Sequence, residues 1–212
     1  MNRCFFRQAE PSDMDSVFKL RYSAYRTAKL IPSNRTKRLQ DIYDSPELSA
    51  IFVLVQDSDI IGTIRILRDS PIGLPMDDEG FGPAIDPLRG KKRRIVEVGR
   101  LAISPEYQRD SRELSLHLSL GAISYSLASN FNDILIMVLG HHHKYYERVL
   151  LFETIVTNHK TKYAADTFAL RLNLDGLLKR YDNDKVAIRF KIPQLLKIHQ
   201  YDQDAIQIGN QV

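Results

Sequence analysis

The chain has 212 residues, 43% of them apolar and 26% charged, with a formal net charge of +4. This is the make-up of a folded domain with a sizeable core, alone or with an appendage, and so mild a charge points to no partner by itself. The single cysteine, Cys4, excludes an internal disulfide framework, and the longest apolar runs, six residues as at 134–139, exclude a membrane-spanning helix. Arg3, Arg7 and Glu10 interrupt any apolar leader, so the expected location is the cytoplasm.

In chain order, residues 4–6 read as a short apolar strand. Pro11 and Ser12 then open a helix, with Ser12 as the expected N-cap and Asp13 and Asp15 in the first turn, where acids suit the helix dipole. The stripe Met14, Phe18, Arg21, Tyr25 has spacings of four, three and four, which puts Arg21 on the face to be buried. It either snorkels at the edge or is paired. A basic loop (Lys29, Arg35, Lys37, Arg38) leads to Asp41 and Asp44, whose i, i+3 spacing places both acids on one helical face or caps a turn. Residues 50–55 and 60–67 read as a hairpin, and in its second strand Arg65 shares a face with Ile61, Thr63 and Leu67.

Residues 69–90 hold four of the nine prolines and four of the ten glycines and therefore read as a long loop. Loops of that length in compact domains are usually functional or disordered. Lys91, Lys92, Arg93 and Arg94 follow, a run that is either a solvated surface or a docking patch. Residues 94–104 then form a buried central strand stopped by Ser104 and Pro105. Glu97, Gly99 and Arg100 do not belong there on stability grounds. Strict alternation puts Glu97 and Arg100 on opposite faces, whereas a bulge at Val98 and Gly99 would bring them to one side. Gly99 gives up packing, and in strands glycine often marks a bulge or the close approach of another group. These residues alone fit both a structural ion pair beside a packing glycine and a reaction site.

Residues 111–130 read as a helix that is apolar nearly all round, 134–139 as a buried strand, 141–151 as a helix, 152–156 as a short extended piece and 167–174 as a strand. The order β, α, β, β, β, α, β, α, β predicts an α/β (α+β) fold, a mixed central sheet flanked by helices. A polar tail with one helix-like piece near 193–199 follows, which divides the chain into a domain of residues 1–182 and a C-terminal extension, 183–212. His141, His142 and His143 are consecutive, not spaced i, i+3 or i, i+4 as helical ligands are, and no cysteine completes a set. No metal site is expected.

Together these residues resemble the Gcn5-related N-acyltransferase superfamily over residues 3–180. Within it they resemble the branch of acyl-homoserine-lactone synthases and long-chain N-acyl amino acid synthases. The branch's pattern runs through Arg21 and Tyr25, Asp41-x-x-Asp44, Gly62-x-x-Arg65, Phe81 and Glu97-x-x-Arg100. The closer likeness, to the N-acyl amino acid synthases, rests on three stretches. They are Glu97-Val-Gly-Arg-Leu-Ala-Ile103, Tyr145-Tyr-Glu-Arg-Val-Leu-Leu-Phe-Glu153, and Tyr163 followed by Ala169-Leu-Arg-Leu-Asn-Leu-Asp175. The chain departs from the pattern at Gly99, often serine in the family, and at Leu151, where a glycine precedes the phenylalanine. The tryptophan of the lactone synthases has no counterpart.

The resemblance implies a Gcn5-related N-acyltransferase fold and an enzyme that moves a long-chain acyl group to the α-amine of an amino acid. The donor would be an acyl-phosphopantetheine thioester on acyl carrier protein, with no resident cofactor. Glu97, Gly99, Arg100 and Tyr145 would be catalytic. A carboxylate in an apolar strand has its pKa raised, which suits a general base, and N–H groups freed near Gly99 could serve an oxyanion. Tyr145 or Tyr146 would protonate the leaving thiolate. Arg21, Tyr25, Asp41, Asp44, Arg65, Phe81 and His143 would bind substrate, and Lys91, Lys92, Arg93 and Arg94 would dock the acidic carrier. Two other readings stay open: a lactone synthase or CoA-dependent N-acetyltransferase, and a non-enzymatic basic module or inactive scaffold. The basic run lacks the interleaved aromatics of a nucleic-acid site. Residues 108–114, which open the helix after the central strand, hold no glycine, whereas a glycine-rich turn there cradles the pyrophosphate of CoA.

Overall fold

The described residues hold seven strands: β1 (Cys4–Gln8), β2 (Ser49–Gln56), β3 (Asp59–Arg68), β4 (Ile95–Ile103), β5 (Asp133–Leu139), β6 (Glu153–Lys160) and β7 (Asp166–Asn173). They form one sheet in the order β1-β2-β3-β4-β5-β7-β6, antiparallel throughout except where β4 meets β5. The structure, a computed structural model, describes residues 4–161 and 166–199. Tyr163 and the end of the tail lie outside the described residues.

Alternation along the strands fills two faces. On one, Phe52, Leu54, Ile64, Ile66, Val96, Ile134, Ile136, Leu170 and Leu172 meet α4 (Ser111–Ala128) and α5 (Gly140–Leu150) in the largest core. On the other, Ile51, Val53 and Val55 take Val17 and Phe18 of α1 (Met14–Thr27). Farther along that face, Leu67, Ile95, Leu135 and Ala169 pack with Met76, Phe81, Ile85 and Leu88. Each valine, leucine, isoleucine, phenylalanine or methionine among them contributes about 1.5–3 kcal/mol on burial.

The last four residues belong to the segment expected to be a loop, and here the sequence reading is corrected. Residues 69–90 hold two short helices, α2 (Pro75–Asp78) and α3 (Gly82–Gly90). Pro75 and Pro83 stand in the first turns, where a helix needs no N–H from them. Phe81, Ile85 and Leu88 carry the four-three helical spacing that the proline and glycine count masks. Ser12 is not a cap. A 3-10 turn at Pro11–Asp13 precedes α1, and Asp13 accepts the Glu10 N–H at 2.7 Å while pairing with Arg7 at 2.5 Å. The extended piece after α5 is longer than expected and becomes β6. Leu151 ends α5 at φ 58°, a left-handed conformation that glycine adopts without steric cost.

After β7 the chain forms α6 (Leu177–Asn183), α7 (Lys185–Arg189) and α8 (Ile192–Ile198), of which the sequence anticipates α8 alone. They bury Leu177, Tyr181, Ala187, Ile192 and Leu196 against the largest core, and the Tyr181 hydroxyl donates to the Leu150 carbonyl at 3.0 Å. At the β1 edge of the sheet, the Phe6 ring stacks on Phe52 at 4.9 Å and fills the space above Gly121 of α4. No helix among the described residues is long and apolar enough to cross a membrane.

Candidate active site

The site begins with an irregularity in β4. Gly99 pairs with Arg65 and Ala102 with Thr63, so Arg100 and Leu101 together face Ile64 alone. This is a bulge, two residues beyond the expected Val98 and Gly99. Arg100 adopts φ 53° there, a conformation that costs an L-residue roughly 1–2 kcal/mol. The cost turns Arg100 to the face of Glu97 and Arg65, as a bulge was expected to do. Gly99 is not the bulged residue. A Cβ at position 99 would meet only Glu97 Oε1, at 3.9 Å, so neither packing nor backbone strain demands the glycine. It leaves open the space beside Glu97.

A second irregularity makes that space a cleft. The parallel pairing of β4 with β5 ends at Glu97 and Leu135. Beyond it β5 continues along β7, and the two strands diverge. Val98, Gly99 and Arg100 line one wall of the opening; Met137, Val138 and Leu139 line the other. Tyr25 and Leu30 reach it from α1 and the loop after it, Pro75 and Glu79 from the α2 segment, and Thr167 from β7.

Glu97 borders this cleft with 6% of its surface exposed, and its Oε2 accepts the Met76 N–H at 3.0 Å. Burial pushes its carboxyl up to about 7, although the Met76 amide, Arg65 and Arg100 all favour the charged form. Such a carboxylate exchanges a proton near neutral pH.

Beside it lies a network of three guanidinium groups and two carboxylates. Arg21, fully buried, donates to Asp44 Oδ1 at 2.7 Å. Arg65 bridges Asp41 at 2.5 Å and Asp44 at 3.0 Å, and Arg100 pairs with Asp41. The two acids sit on the 3-10 turn Ile42–Asp44 and cap it: Asp41 accepts the Tyr43 N–H and Asp44 accepts the Asp41 N–H. Of the two sequence readings of this pair, the cap is the one the structure has: Asp41 is extended and lies just outside the turn. Burial works to raise the Asp41 carboxyl, but Arg65 and Arg100 outweigh it and hold it at about 2. Nε and Nη2 of Arg21 are buried with no hydrogen-bond partner among the described residues.

The remaining expected residues are placed elsewhere. Phe81 is a core residue, 1% exposed and tilted against His159. His143 stacks on Phe168 at 4.2 Å and donates from Nδ1 to the Gly140 carbonyl at 2.6 Å. Tyr145 packs against the largest core; its hydroxyl has no partner among the described residues, and burial pushes it up to about 12. None of these three lines the cleft. The basic run splits: Lys91 and Lys92 are exposed, Arg94 lies over the Phe131 ring at 5.2 Å, and Arg93 turns inward to Asp133 and Asp175. Between β4 and α4 stands a 3-10 turn, Pro105–Asp110, without glycine; its Glu106 and Asp110 are exposed, as is Glu113 in the first turn of α4. Among the described residues no three His, Cys, Asp or Glu side chains are grouped to hold a metal ion.

The Met76 amide escapes sequence reasoning because it is a backbone donor; Pro75 at the start of a helical turn is its only trace. Glu79 and Thr167 carry no signal of their own in the sequence.

Comparison with known proteins identifies the family. Residues 16–173 match the family described as N-acyl amino acid synthase FeeM. The structure of FeeM, an N-acyl amino acid synthase from uncultured soil microbes, superposes with a TM-score of 0.73 at 20% identity, covering 88% of this chain and 98% of that one. The acyl-homoserine-lactone synthase LasI follows at 0.63 and 18%, covering 82% and 91%. A CoA-dependent acyl-homoserine lactone synthase, BjaI, reaches 0.58 at 15%, covering 84% and 89%. No curated protein sequence matches the chain. The structural likenesses establish a Gcn5-related acyltransferase fold, and the family match covers most of the chain: it belongs to the FeeM family of N-acyl amino acid synthases and is an N-acyltransferase.

Proposed function

We propose that the chain transfers a long-chain acyl group from an acyl carrier protein thioester to the α-amine of an amino acid. The observation that carries this reading is Glu97, a buried carboxyl titrating near 7 at the point where β4 and β5 part. An amino acid arrives as an ammonium ion. Glu97 takes a proton from it, directly or through a water in the space left by Gly99, and the freed nitrogen attacks the thioester carbon. The C–N bond forms, the nitrogen gives up its second proton as the C–S bond breaks, and the departing thiolate takes that proton up. Arg21, Arg65 and Arg100 outnumber Asp41 and Asp44 by one charge, so the network's excess is positive. That excess suits the carboxylate of the acceptor.

The donor is argued from the start of α4. A CoA pyrophosphate needs convergent N–H groups and a close backbone approach. Here a glycine-free turn and the acids Glu106, Asp110 and Glu113 stand in that place, partly offset by Arg109 and Arg112. A carrier-bound arm has a single phosphate and gains its other contacts from the carrier's surface. The fold does not choose between donors, since the CoA-dependent BjaI shares it. With one acyl group on both carriers and an amino acid acceptor, kcat/KM is expected to be well above parity for the carrier protein. Equal or better use of acyl-CoA overturns the donor assignment.

With Arg93 engaged by Asp133, the docking surface reduces to Lys91, Lys92 and Arg94. Charge reversal by Lys91→Glu and Lys92→Glu is expected to raise KM for the carrier and flatten its dependence on salt, because exposed rim charges chiefly govern association. An unchanged KM at low ionic strength would leave these lysines as solvated surface.

A further inference from the structure

Glu97 owes its one direct hydrogen-bond donor among the described residues, the Met76 N–H, to a helix of only four residues. A single turn is not stable alone, so something outside α2 holds that amide in place. The chain of contacts leads to Arg89 on α3. Its Nη1 and Nη2 grip both oxygens of Asp77 on α2, at 2.9 and 2.7 Å. Its Nε and Nη2 grip both oxygens of Asp69, each at 2.8 Å. Asp69 is fixed to the sheet, since its N–H donates to the Ile95 carbonyl of β4 at 3.1 Å. Asp77 also accepts the Leu74 N–H at 2.7 Å, which closes the start of α2 one residue before Pro75. One guanidinium thus ties the turn that carries Met76 to the strand that carries Glu97. The Tyr43 hydroxyl adds a weaker tie, donating to Asp78 at 3.0 Å.

We infer that Arg89 is a positioning residue for the acyl transfer: by clasping Asp77 to Asp69 it keeps the Met76 N–H on Glu97 and so sets the pH range in which Glu97 holds its charge. The inference rests on Glu97 being the base only for its kinetic consequence; the clasp acts on Glu97 whatever Glu97 does. A bidentate fork on two carboxylates is geometry that arginine supplies and lysine does not. Losing the clasp removes a donor that favours the carboxylate and leaves Asp77 without its counter-charge. Both changes favour the protonated form of Glu97. The other groups around Glu97 are Arg65 from β3, Arg100 from β4, Tyr43 from the 3-10 turn, Tyr25 from α1 and Glu79 after α2.

The test compares wild type, Arg89→Ala and Arg89→Lys by two readouts. In the wild type the Met76 amide proton, followed by NMR, is expected to shift with pH at the midpoint of Glu97, and Glu97→Gln is expected to abolish the shift. In Arg89→Ala the Met76 signal should cease to follow Glu97, and the 13C-labelled Glu97 carboxyl should titrate about one unit higher. Arg89→Lys, the milder change should the alanine variant fold poorly, should move the carboxyl in the same direction by less. An unmoved or lowered Glu97 midpoint in both variants overturns the inference. The second readout is kcat/KM against pH: the acidic limb moves up with the NMR midpoint, and the deficit relative to wild type closes as pH rises. General loosening of the site would instead depress activity at every pH. A carboxyl shift without a matching kinetic shift keeps the clasp and removes Glu97 from the base role.

Discussion

Glu97→Gln is expected to lower acyl transfer by about 10²–10⁴-fold while the protein stays folded. Glutamine keeps the shape and can still accept the Met76 N–H, so the substitution removes the proton acceptor and little else. The pH dependence carries the same signature. A base must be ionised, so wild-type kcat/KM should climb as pH rises through about 7, the value to which burial brings this carboxyl. That limb should be missing from the residual rate of the variant. Stability gives an independent check on sign. A carboxyl whose folded pKa lies above its ordinary value contributes stability that is present below pH 4.5 and lost as pH rises through about 7. At pH 8, then, the glutamine variant should be no less stable than wild type. Near-normal turnover in a folded Glu97→Gln protein would leave Glu97 a structural acid.

The largest effect on stability is expected at Asp44. Its Oδ1 is the only hydrogen-bond acceptor that Arg21 has among the described residues, and Arg21 is wholly buried. Removing one partner of a buried ion pair strands the other charge, at a cost of about 3–5 kcal/mol. Asp44→Ala should lose this much in urea denaturation, while Arg21→Met with Asp44→Leu should recover part of it, because no charge is then stranded at Arg21 and Arg65 keeps Asp41 as its partner. A loss under about 1 kcal/mol would mean that Arg21 finds water or another acceptor in the folded state. Asp41 adds a dependence of known sign. Held at about 2, below its ordinary 3.8, it contributes stability above pH 3.8 that fades as pH falls through about 2.

Much of this was legible in the residues themselves. Period-two alternation located the middle strands, and Glu97 and Arg100 stood out because a buried strand has no use for charge. What the sequence hid depends on tertiary context. The bulge falls at Arg100 and not at the glycine before it, because the register of β3 decides which residue is in excess, and β3 is remote in the chain. The two helices at 69–90 are short and rich in proline and glycine, and α2 is held by Asp77 and Asp69 through a single arginine. Neither acid shows a helical spacing to Arg89. Arg93 reads as one member of a surface run, yet Asp133, forty residues away, draws it inward. Local pattern reveals which groups are out of place and says little about who answers them.

The ring of Phe6 lying over Gly121 ties together two positions that no spacing relates. A Cβ at residue 121 would stand 2.6 Å from two carbons of that ring, closer than real side chains come. Growth at 121 must therefore be matched by shrinkage at 6, or the ring is expelled and the edge strand goes with it. In any collection of relatives these two positions should vary as a pair, a large side chain at one accompanied by glycine at the other. A relative that breaks the rule should have re-anchored its first strand by some other means. The bare backbone of β2 would otherwise be left as an open edge, ready to pair with another chain.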